Sequence, residues 1–355
     1  MTPGRRYDED DVRIRPNRRG SRPRTKERPR HADAVPARVV VVDRGRSTCL
    51  VEGTDGGHLV TAMRARELGR TGVVVGDEVA LVGDTSGRAD TLARIVRIDE
   101  RRTVLRRTAD DTDPVERVVV ANADQLVVVA AVADPEPRAR LVDRFLVAAY
   151  DAGMDPLLCL TKGDLRDARE VLSTWAPLGL DAVVTSRGEG GIVGLDAVRE
   201  RLHGRTSVLV GHSGVGKSTL VNALVPDADR ATGSVNAVTG RGRHTSTSMA
   251  AMLLPDGGWI IDTPGIRSFG LAHVDPERVL GAFADLRDGE QECPRGCTHD
   301  EEECALDAWV AAGRAGSAGP ERLASLRRLL ATLRGEREPD MQRGRDREDQ
   351  SSPLQ

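Results

Sequence analysis

The chain has 355 residues, of which 30% are charged, yet its formal net charge is only -3. This length suits two or three domains. No apolar run approaches the roughly 18–20 residues of a membrane helix, and the start lacks the apolar region of a signal peptide. We therefore expect a cytoplasmic protein that makes no contact with a membrane.

Arginine and proline are frequent in the first part of the chain, where large apolar residues are scarce. Such a composition cannot bury enough apolar surface to offset the entropy of folding. The sequence predicts a disordered basic arm over residues 1–36. The arm can act as a solubilising tail or can neutralise nucleic-acid phosphates, and the sequence leaves both roles open.

Short β-rich runs separated by glycine turns follow in residues 37–110. Roughly five strands without helical periodicity predict a small β-barrel, with the oligonucleotide-binding (OB) type favoured over other small barrels. Residues 38–107 contain no Phe, Tyr or Trp, so bases cannot stack on aromatic rings there. Any RNA contact of the barrel would use arginine, and the obvious cluster is Arg101, Arg102, Arg106 and Arg107.

Residues 111–273 alternate strand and helix patterns. The apolar run 118–132 reads as one strand buried on both faces. Further strands are predicted at 156–161, 181–185 and 206–211, and helices at 137–152, 165–174 and 193–203. This alternation predicts an α/β domain with a doubly wound parallel sheet and right-handed crossovers.

A phosphate loop lies within this domain, because "SVLVGHSGVGKSTLVNAL" combines a strand, a glycine-rich loop and a helix. The glycines let backbone N–H groups face a phosphate at the helix N-terminus. Lys217 would bridge the β- and γ-phosphates, and Ser218 would coordinate Mg²⁺. The predicted contacts of this loop are Gly211, His212, Ser213, Gly214, Val215, Gly216, Lys217, Ser218 and Thr219.

The later motif "DTPG" fits the γ-phosphate side of the same site. Asp262 ends an apolar strand and would hold Mg²⁺ through water. Gly265 would place a backbone N–H near the γ-phosphate. The motif is a common turn by itself, but it is strong evidence after a phosphate loop.

The tetrapeptide "TKGD" at 161–164 is the pattern that GTP-binding proteins use to recognise guanine. The Asp164 carboxylate would accept from N1–H and the exocyclic amine, a pair of donors that adenine does not offer, and the Lys162 stem would cover the base. A companion loop at "TSRGEGG" would lie near the guanine O6. The base contacts predicted from the two loops are Thr161, Lys162, Asp164, Ser186 and Arg187.

The base motif precedes the phosphate loop here, whereas ordinary GTPases have the opposite order. An α/β domain whose ends lie close together tolerates joining them and cutting the chain elsewhere. The order therefore predicts a circularly permuted P-loop GTPase domain of the α/β class, preceded by the barrel.

Residues 274–336 read as helices around a cluster of cysteine and histidine. Three thiolates and one imidazole complete a closed tetrahedral zinc site, which is structural because no position is left for water. The predicted ligands are Cys293, Cys297, His299 and Cys304. The polar tail 337–355 is predicted to be disordered.

With these motifs in place, residues 38–335 resemble the circularly permuted GTPases that act in late maturation of the small ribosomal subunit. The segments that carry the resemblance are "ANADQ", "TKGD", "GHSGVGKSTLVNAL", "GRGRHTSTS", "DTPGIRSFGL" and the cysteine–histidine cluster. The resemblance implies an OB barrel, a zinc-bearing C-terminal domain and GTP hydrolysis. It also implies binding to the small (30S) subunit and its rRNA and release on hydrolysis. The sequence gives no sign of oligomerisation, so we expect a monomer.

The segment 240–248 lies where the first switch belongs. The resemblance implies that one hydroxyl here coordinates Mg²⁺, and alignment points to Ser246, with Thr245 and Thr247 as neighbours. Ile266 stands where Ras-like enzymes have a water-orienting glutamine, and the family suggests His244 as the catalytic substitute. The alternative function is a GTP-dependent RNA- or protein-binding switch with a non-ribosomal partner.

Overall fold

The computed structural model describes residues 31–43, 45–53, 57–69, 71–108, 115–226, 249–263 and 270–334. The predicted tail lies outside the described residues, as does all of the predicted basic arm before His31. The segment 240–248, predicted as the first switch, also lies outside them.

The first described domain is a closed barrel of five strands. They are β1 (Val35–Asp43), β2 (Arg46–Val51), β3 (His58–Arg64), β4 (Glu78–Gly83) and β5 (Ala93–Ile98), with a short 3₁₀ turn at Arg66–Leu68. The strand order is β1-β2-β3-β5-β4, and β4 pairs back onto β1. Valine, leucine and isoleucine side chains fill the interior. The predicted OB-type barrel is confirmed.

Asp77 ties the barrel to the segment that follows it. Its carboxylate is fully buried and accepts from the Val74 N–H at 2.9 Å and from two nitrogens of Arg101 at 2.7 and 2.9 Å. The neighbouring Gly76 has a φ of 90°, and a Cβ there would lie 1.9 Å from the carbonyl oxygen of Ala121, so only glycine fits.

Two further arginines of the cluster expected to contact RNA are also paired within the protein. Arg102 lies 3.2 Å from Asp124, and Arg106 lies 3.6 Å from Glu116. Together with Arg101, they already contact carboxylates of this chain. An RNA contact of the barrel through this arginine cluster stays a prediction.

The single strand expected over 118–132 is two strands. β6 (Val104–Arg107) and β7 (Arg117–Ala121) form a hairpin, and β8 (Gln125–Ala131) is a separate, fully buried strand. Asn122 separates β7 from β8 with a left-handed φ of 56°. Its side chain accepts from the Arg102 N–H at 2.8 Å and donates to the Gly76 carbonyl at 3.0 Å. These bonds stabilise the break, since Asn tolerates this conformation better than most residues.

The α/β domain has a six-stranded sheet in the order β10-β9-β8-β13-β15-β14. Its strands after β8 are β9 (Asp155–Thr161), β10 (Asp181–Val184), β13 (Thr206–Val210), β14 (Ala250–Leu253) and β15 (Trp259–Asp262). A small hairpin, β11 (Ser186–Gly188) and β12 (Gly191–Val193), stands apart from this sheet. All neighbouring pairs are parallel except β14 with β15. The predicted parallel sheet is confirmed.

Helices cover this sheet. Among the described residues they are α1 (Ala139–Ala152), α2 (Ala168–Leu172), a 3₁₀ turn at Ala176–Leu178, α3 (Leu195–Leu202) and α4 (Lys217–Leu224). The helix predicted at 165–174 is shorter than expected. Asp167 caps α2 by accepting from the Arg169 N–H at 2.9 Å, so the helix begins only after this residue.

The barrel and the α/β sheet are continuous. Val41 of β1 pairs with Ala250 of β14, which makes one sheet of eleven strands. Ala250 in turn pairs with Asp262 at the end of β15. Val41 therefore lies two strands away from Asp262, or about 10 Å at the usual strand spacing.

The C-terminal domain consists of α5 (Pro276–Gly281), α6 (Ala284–Glu290), α7 (Ala305–Ala311) and α8 (Gly319–Leu333). Leu323, Leu326 and Leu330 of α8 are buried, and they join a core that also contains Phe145 of α1. Arg328 of α8 donates to the buried Asp143 of α1 at 3.1 Å. In the described part of the chain, no helix is long and apolar enough to cross a membrane.

Candidate guanine nucleotide site and metal centre

An open pocket of about 590 Å³ lies where β9 and β10 end and α4 begins. Both predicted nucleotide motifs contribute to its wall. The predicted site residues that line it are Thr161, Lys162, Asp164, Ser186, Arg187, Gly216 and Thr219. Segments far apart in the chain and in permuted order thus meet at one pocket.

The base loop after β9 presents the Asp164 carboxylate to solvent. Lys162 takes a left-handed φ of 59°, and the Leu165 N–H donates back to its carbonyl at 3.0 Å, which closes the turn. The Asp164 Oδ1 accepts from the Arg187 N–H at 3.0 Å. This backbone hydrogen bond is the main reason that the pKa of Asp164 lies below its usual value. The carboxylate is therefore ionised at neutral pH and can accept two hydrogen bonds from a base edge.

Lys162 is held by a segment outside both motifs. Its Nζ atom donates to the carbonyl oxygen of Asp134, which follows β8 and also lines the pocket. Sequence reasoning missed Asp134. The only signal was its position in the loop after a buried strand, at the carboxyl edge where α/β sheets bind ligands.

Thr161 joins the base loop to the phosphate loop. Its Oγ1 donates to the carbonyl oxygen of Val215 at 2.5 Å, and the side chain is buried. A Cβ built on Gly216 would lie 3.6 Å from the same Oγ1. The two halves of the site are thus in direct contact.

The phosphate loop runs from the fully buried strand β13 into α4. Gly214 and Gly216 have φ values of 84° and 88°, a conformation that other residues rarely adopt. A Cβ on Gly211 would lie 2.4 Å from the Val129 carbonyl oxygen, so the backbone approach there requires glycine. The loop ends at the N-terminus of α4, where backbone N–H groups and the helix dipole favour an anion.

Lys217 contacts the motif that follows β15. Its Nζ donates to the Asp262 carboxylate and, at 2.8 Å, to the Thr263 carbonyl. Thr263 in turn donates to the Leu209 carbonyl of β13 at 2.6 Å. The carboxylate predicted for Mg²⁺ therefore stands beside the lysine predicted for the phosphates.

Ser218 and His212 of the phosphate loop lie beside the residues described above. Ser218 lies in the first turn of α4, and the imidazole Nδ1 of His212 lies 2.8 Å from the Ser213 carbonyl oxygen. Three predicted site residues lie outside the described residues, namely His244, Ser246 and Gly265.

The cysteine–histidine cluster has the geometry of a metal centre. The ligand atoms of Cys293, Cys297, His299 and Cys304 all lie within 4.8 Å of one another. The Nδ1 of His299 is 3.8 Å from the Sγ of both Cys293 and Cys304, and these two sulfurs are 4.0 Å apart. A tetrahedron with Zn–S bonds of about 2.3 Å has edges of about 3.8 Å. The cluster can therefore hold one zinc ion.

Arg327 of α8 supports this centre from outside. Its Nε donates to the His299 carbonyl at 2.7 Å, and its other nitrogens hold the Asp307 carboxylate at 2.5 and 3.0 Å. His299 itself has a left-handed φ of 65°. The imidazole is thus positioned by its backbone and by a neighbouring helix.

Comparison with known proteins agrees with this architecture. The family model described as RsgA GTPase matches residues 98–272. The small ribosomal subunit biogenesis GTPase RsgA of Pseudomonas aeruginosa is 40% identical over 269 residues, which cover 74% of this chain and 76% of that protein. The protein of the same name from Azotobacter vinelandii is 43% identical over 223 residues, or 61% of this chain and 63% of that protein.

Two solved structures share the fold. The crystal structure of YjeQ from Thermotoga maritima matches with a TM-score of 0.60 and 26% identity, covering 86% of this chain and all (100%) of that one. YloQ, a circularly permuted GTPase, matches with a TM-score of 0.60 and 23% identity over 88% of this chain and 100% of that one. The latter similarity concerns the fold alone. The P. aeruginosa relative aligns over most of both chains, and the family model covers the α/β domain. This chain therefore belongs to the RsgA GTPase family of GTP-hydrolysing enzymes.

Proposed function

We propose that this GTPase acts in late maturation of the small (30S) ribosomal subunit, binds the subunit and its rRNA, and is released when GTP is hydrolysed. The observation that carries the proposal is the similarity to a protein named as a small ribosomal subunit biogenesis GTPase. The two chains are 40% identical, and the alignment covers 76% of that protein. In this proposal the protein works as a monomer in the cytoplasm.

The nucleotide is proposed to bind with its base at Asp164 and its phosphates at the loop before α4. Asp164 reads the guanine edge, Lys162 covers the base, and Ser186 and Arg187 lie near O6. The proposal is supported by the pocket that these side chains share and by the ionised, hydrogen-bonded state of Asp164.

Mg²⁺ is proposed to accompany the nucleotide. A serine hydroxyl and a carboxylate are the oxygen ligands that this ion prefers. Ser218 and Asp262 supply them beside Lys217, and Ser246 would supply a second hydroxyl. The ion would offset the charge that develops on the phosphates, and Gly265 would donate to the γ-phosphate. His244 would orient the attacking water, since Ile266 cannot.

Zinc is proposed to be structural. Three thiolates and an imidazole leave no position for water or substrate. The ion would hold the loop 293–304 against α8 and so complete the C-terminal domain.

The continuous sheet supports a link between nucleotide state and subunit binding. β14 begins two residues after the predicted first switch, and it pairs both with β15, which carries Asp262, and with β1 of the barrel. A movement of β14 or β15 that follows loss of the γ-phosphate would therefore act on β1 of the barrel.

The test is GTP turnover with and without purified small subunits, together with co-sedimentation at physiological salt in GDP and in a non-hydrolysable GTP analogue. We expect slow intrinsic turnover and a stimulation that approaches the ~10³–10⁵ of GTPase activators. Lys217→Ala should abolish turnover in both conditions and serves as the control. No stimulation and no co-sedimentation would defeat the proposal. Nucleotide-dependent binding to another RNA or protein would favour the alternative, a GTP-dependent switch with a non-ribosomal partner.

A further inference from the structure

In the proposed site Asp164 reads the edge of the guanine base and the Lys162 stem covers one face, so the opposite face still needs a contact. Asp164 and Lys162 are both held by backbone groups, the Arg187 N–H and the Asp134 carbonyl. A base is a flat ring, and small-molecule sites cover such rings mainly with apolar side chains. The lining residues that the structure describes include no aromatic side chain. Aliphatic residues must therefore provide the apolar cover of the face that Lys162 does not contact.

Three large aliphatic residues belong to the described lining, Leu165, Ile192 and Leu220. Leu220 is 1% exposed and packs in the core beneath α4. Leu165 is 53% exposed, and neither it nor Ile192 joins any of the hydrophobic cores found among the described residues. The apolar surface of these two side chains is thus free to contact a ligand.

The β11–β12 hairpin places Ile192 next to the base-reading group. Ile192 pairs directly with Arg187, whose N–H donates to Asp164 at 3.0 Å. Directly opposed residues of an antiparallel pair project to the same face, with Cβ atoms about 5 Å apart. The next residue, Val193, projects to the other face, is 60% exposed and is absent from the pocket wall.

The hairpin is seated tightly on the base loop. A Cβ on Gly163 would lie 2.8 Å from the Ser186 Oγ, and the Gly163 N–H donates to the Thr185 carbonyl at 3.0 Å. Gly194, just after the hairpin, has a φ of 83°, and a Cβ there would lie 2.4 Å from the Val184 carbonyl oxygen. The backbone therefore fixes where Ile192 stands relative to Asp164.

The geometry points to Ile192, assisted by Leu165, as the apolar cover of the guanine ring, a base-binding role outside the guanine motif. This inference rests on the proposed nucleotide site. Ile192 contacts the ring and neither its edge nor the phosphates. It therefore contributes equally to the binding of GTP and GDP, does not select between guanine and xanthine, and leaves the hydrolysis step unchanged.

The test compares Ile192→Ala with the matched variant Val193→Ala. Equilibrium dissociation constants are measured for GDP and for a non-hydrolysable GTP analogue by calorimetry on the full chain. Ile192→Ala removes three carbons from the ring contact and should weaken the binding of both ligands by about tenfold. Val193→Ala should bind as the wild type does. Ile192→Val, which loses one carbon, should give a smaller loss and covers the case in which the alanine variant folds poorly.

Two outcomes would overturn the inference. One is unchanged affinity in both Ile192 variants, and the other is a loss confined to the GTP analogue, which would place the contact at the γ-phosphate. Asp164→Asn, measured in parallel, separates this result from the proposed function. If Asp164→Asn changes the base preference while the Ile192 variants bind normally, the nucleotide site stands and the role of Ile192 fails. If neither substitution has an effect, the proposed site itself is wrong.

Discussion

The Oγ1 of Thr161 donates to the carbonyl oxygen of Val215 at 2.5 Å and so joins two loops that lie 54 positions apart. One loop carries the carboxylate proposed to read the base, and the other carries the glycines proposed to bind the phosphates. In a chain whose base motif comes first, this bond fixes the distance between the two halves of the site. It explains how the permuted order can still form a single pocket.

Thr161→Val should therefore weaken both the fold and nucleotide binding. Valine keeps the shape but cannot donate, which leaves the buried Val215 carbonyl without this bond and costs about 1–3 kcal/mol in the free energy of unfolding. The affinity for GDP should also fall, because the two loops are no longer held in register. Urea unfolding and calorimetric titration with GDP measure the two effects. Thr161→Ser, which keeps the hydroxyl, is the control, and equal losses in both variants would argue against the hydrogen bond.

Asp164→Asn should change the base preference of the pocket. In the proposed site the carboxylate would accept from two donors of guanine, whereas an asparagine amide offers one donor and one acceptor, which suits the extra carbonyl of xanthine. We expect the affinity for GDP to fall by about 10²-fold or more and the affinity for xanthosine diphosphate to rise. The asparagine oxygen can still accept from the Arg187 N–H, so thermal unfolding should not change. Unchanged guanine preference would show that Asp164 does not read the base.

Local signals explain why much of the fold could be predicted. Glycine turns between β-branched runs identify the barrel strands, and the phosphate loop with its flanking strand and helix identifies the centre of the α/β domain. The same holds for the metal cluster, since Cys293, Cys297, His299 and Cys304 lie close together in the chain. Each of these features depends on neighbours in sequence.

The features that the sequence did not reveal depend on contacts between distant residues. The break at Asn122 is stabilised by Arg102 and Gly76. Arg101 forms its ion pair with Asp77, which lies in a turn before β4. The link between Lys162 and the Asp134 carbonyl likewise crosses between two loops. Nothing in the local pattern of residues signals such pairs.

Loss of zinc should destabilise the α/β domain as well as the C-terminal one. α8 and α1 share one apolar core, and Arg328 of α8 is bonded to the buried Asp143 of α1. Cys304→Ala should therefore abolish zinc binding and lower the unfolding temperature of the whole unit. Metal analysis measures the zinc content. Thermal unfolding, with the loss of GDP binding as its signal, measures the stability of the α/β domain. The control is Cys49→Ala, at a buried barrel position, which should keep the zinc. If the α/β domain of Cys304→Ala unfolds at the wild-type temperature, the two domains are not coupled in this way.

The buried imidazole of His273 should make stability depend on pH. Its Nε2 lies 3.8 Å from the Asp151 carboxylate, which also accepts from Arg278 at 3.2 Å, and its Nδ1 has no hydrogen-bond partner among the described residues. Burial lowers the pKa of His273, and the nearby Asp151 opposes this effect only in part. Glu116 also favours the charged form, while Arg106 and Arg278 disfavour it.

Because the pKa of His273 is lower in the folded chain than in the unfolded one, the unfolded state takes up this proton first as the pH falls. The stability that the neutral imidazole contributes is complete above the unfolded pKa and is lost as the pH falls through the folded value. Urea unfolding at about pH 7.5 and about pH 5.5 should show a larger loss for the wild type than for His273→Gln, which has no proton to gain. His203→Gln removes an exposed imidazole and should behave as the wild type does. An equal loss in wild type and His273→Gln would show that His273 does not carry the effect.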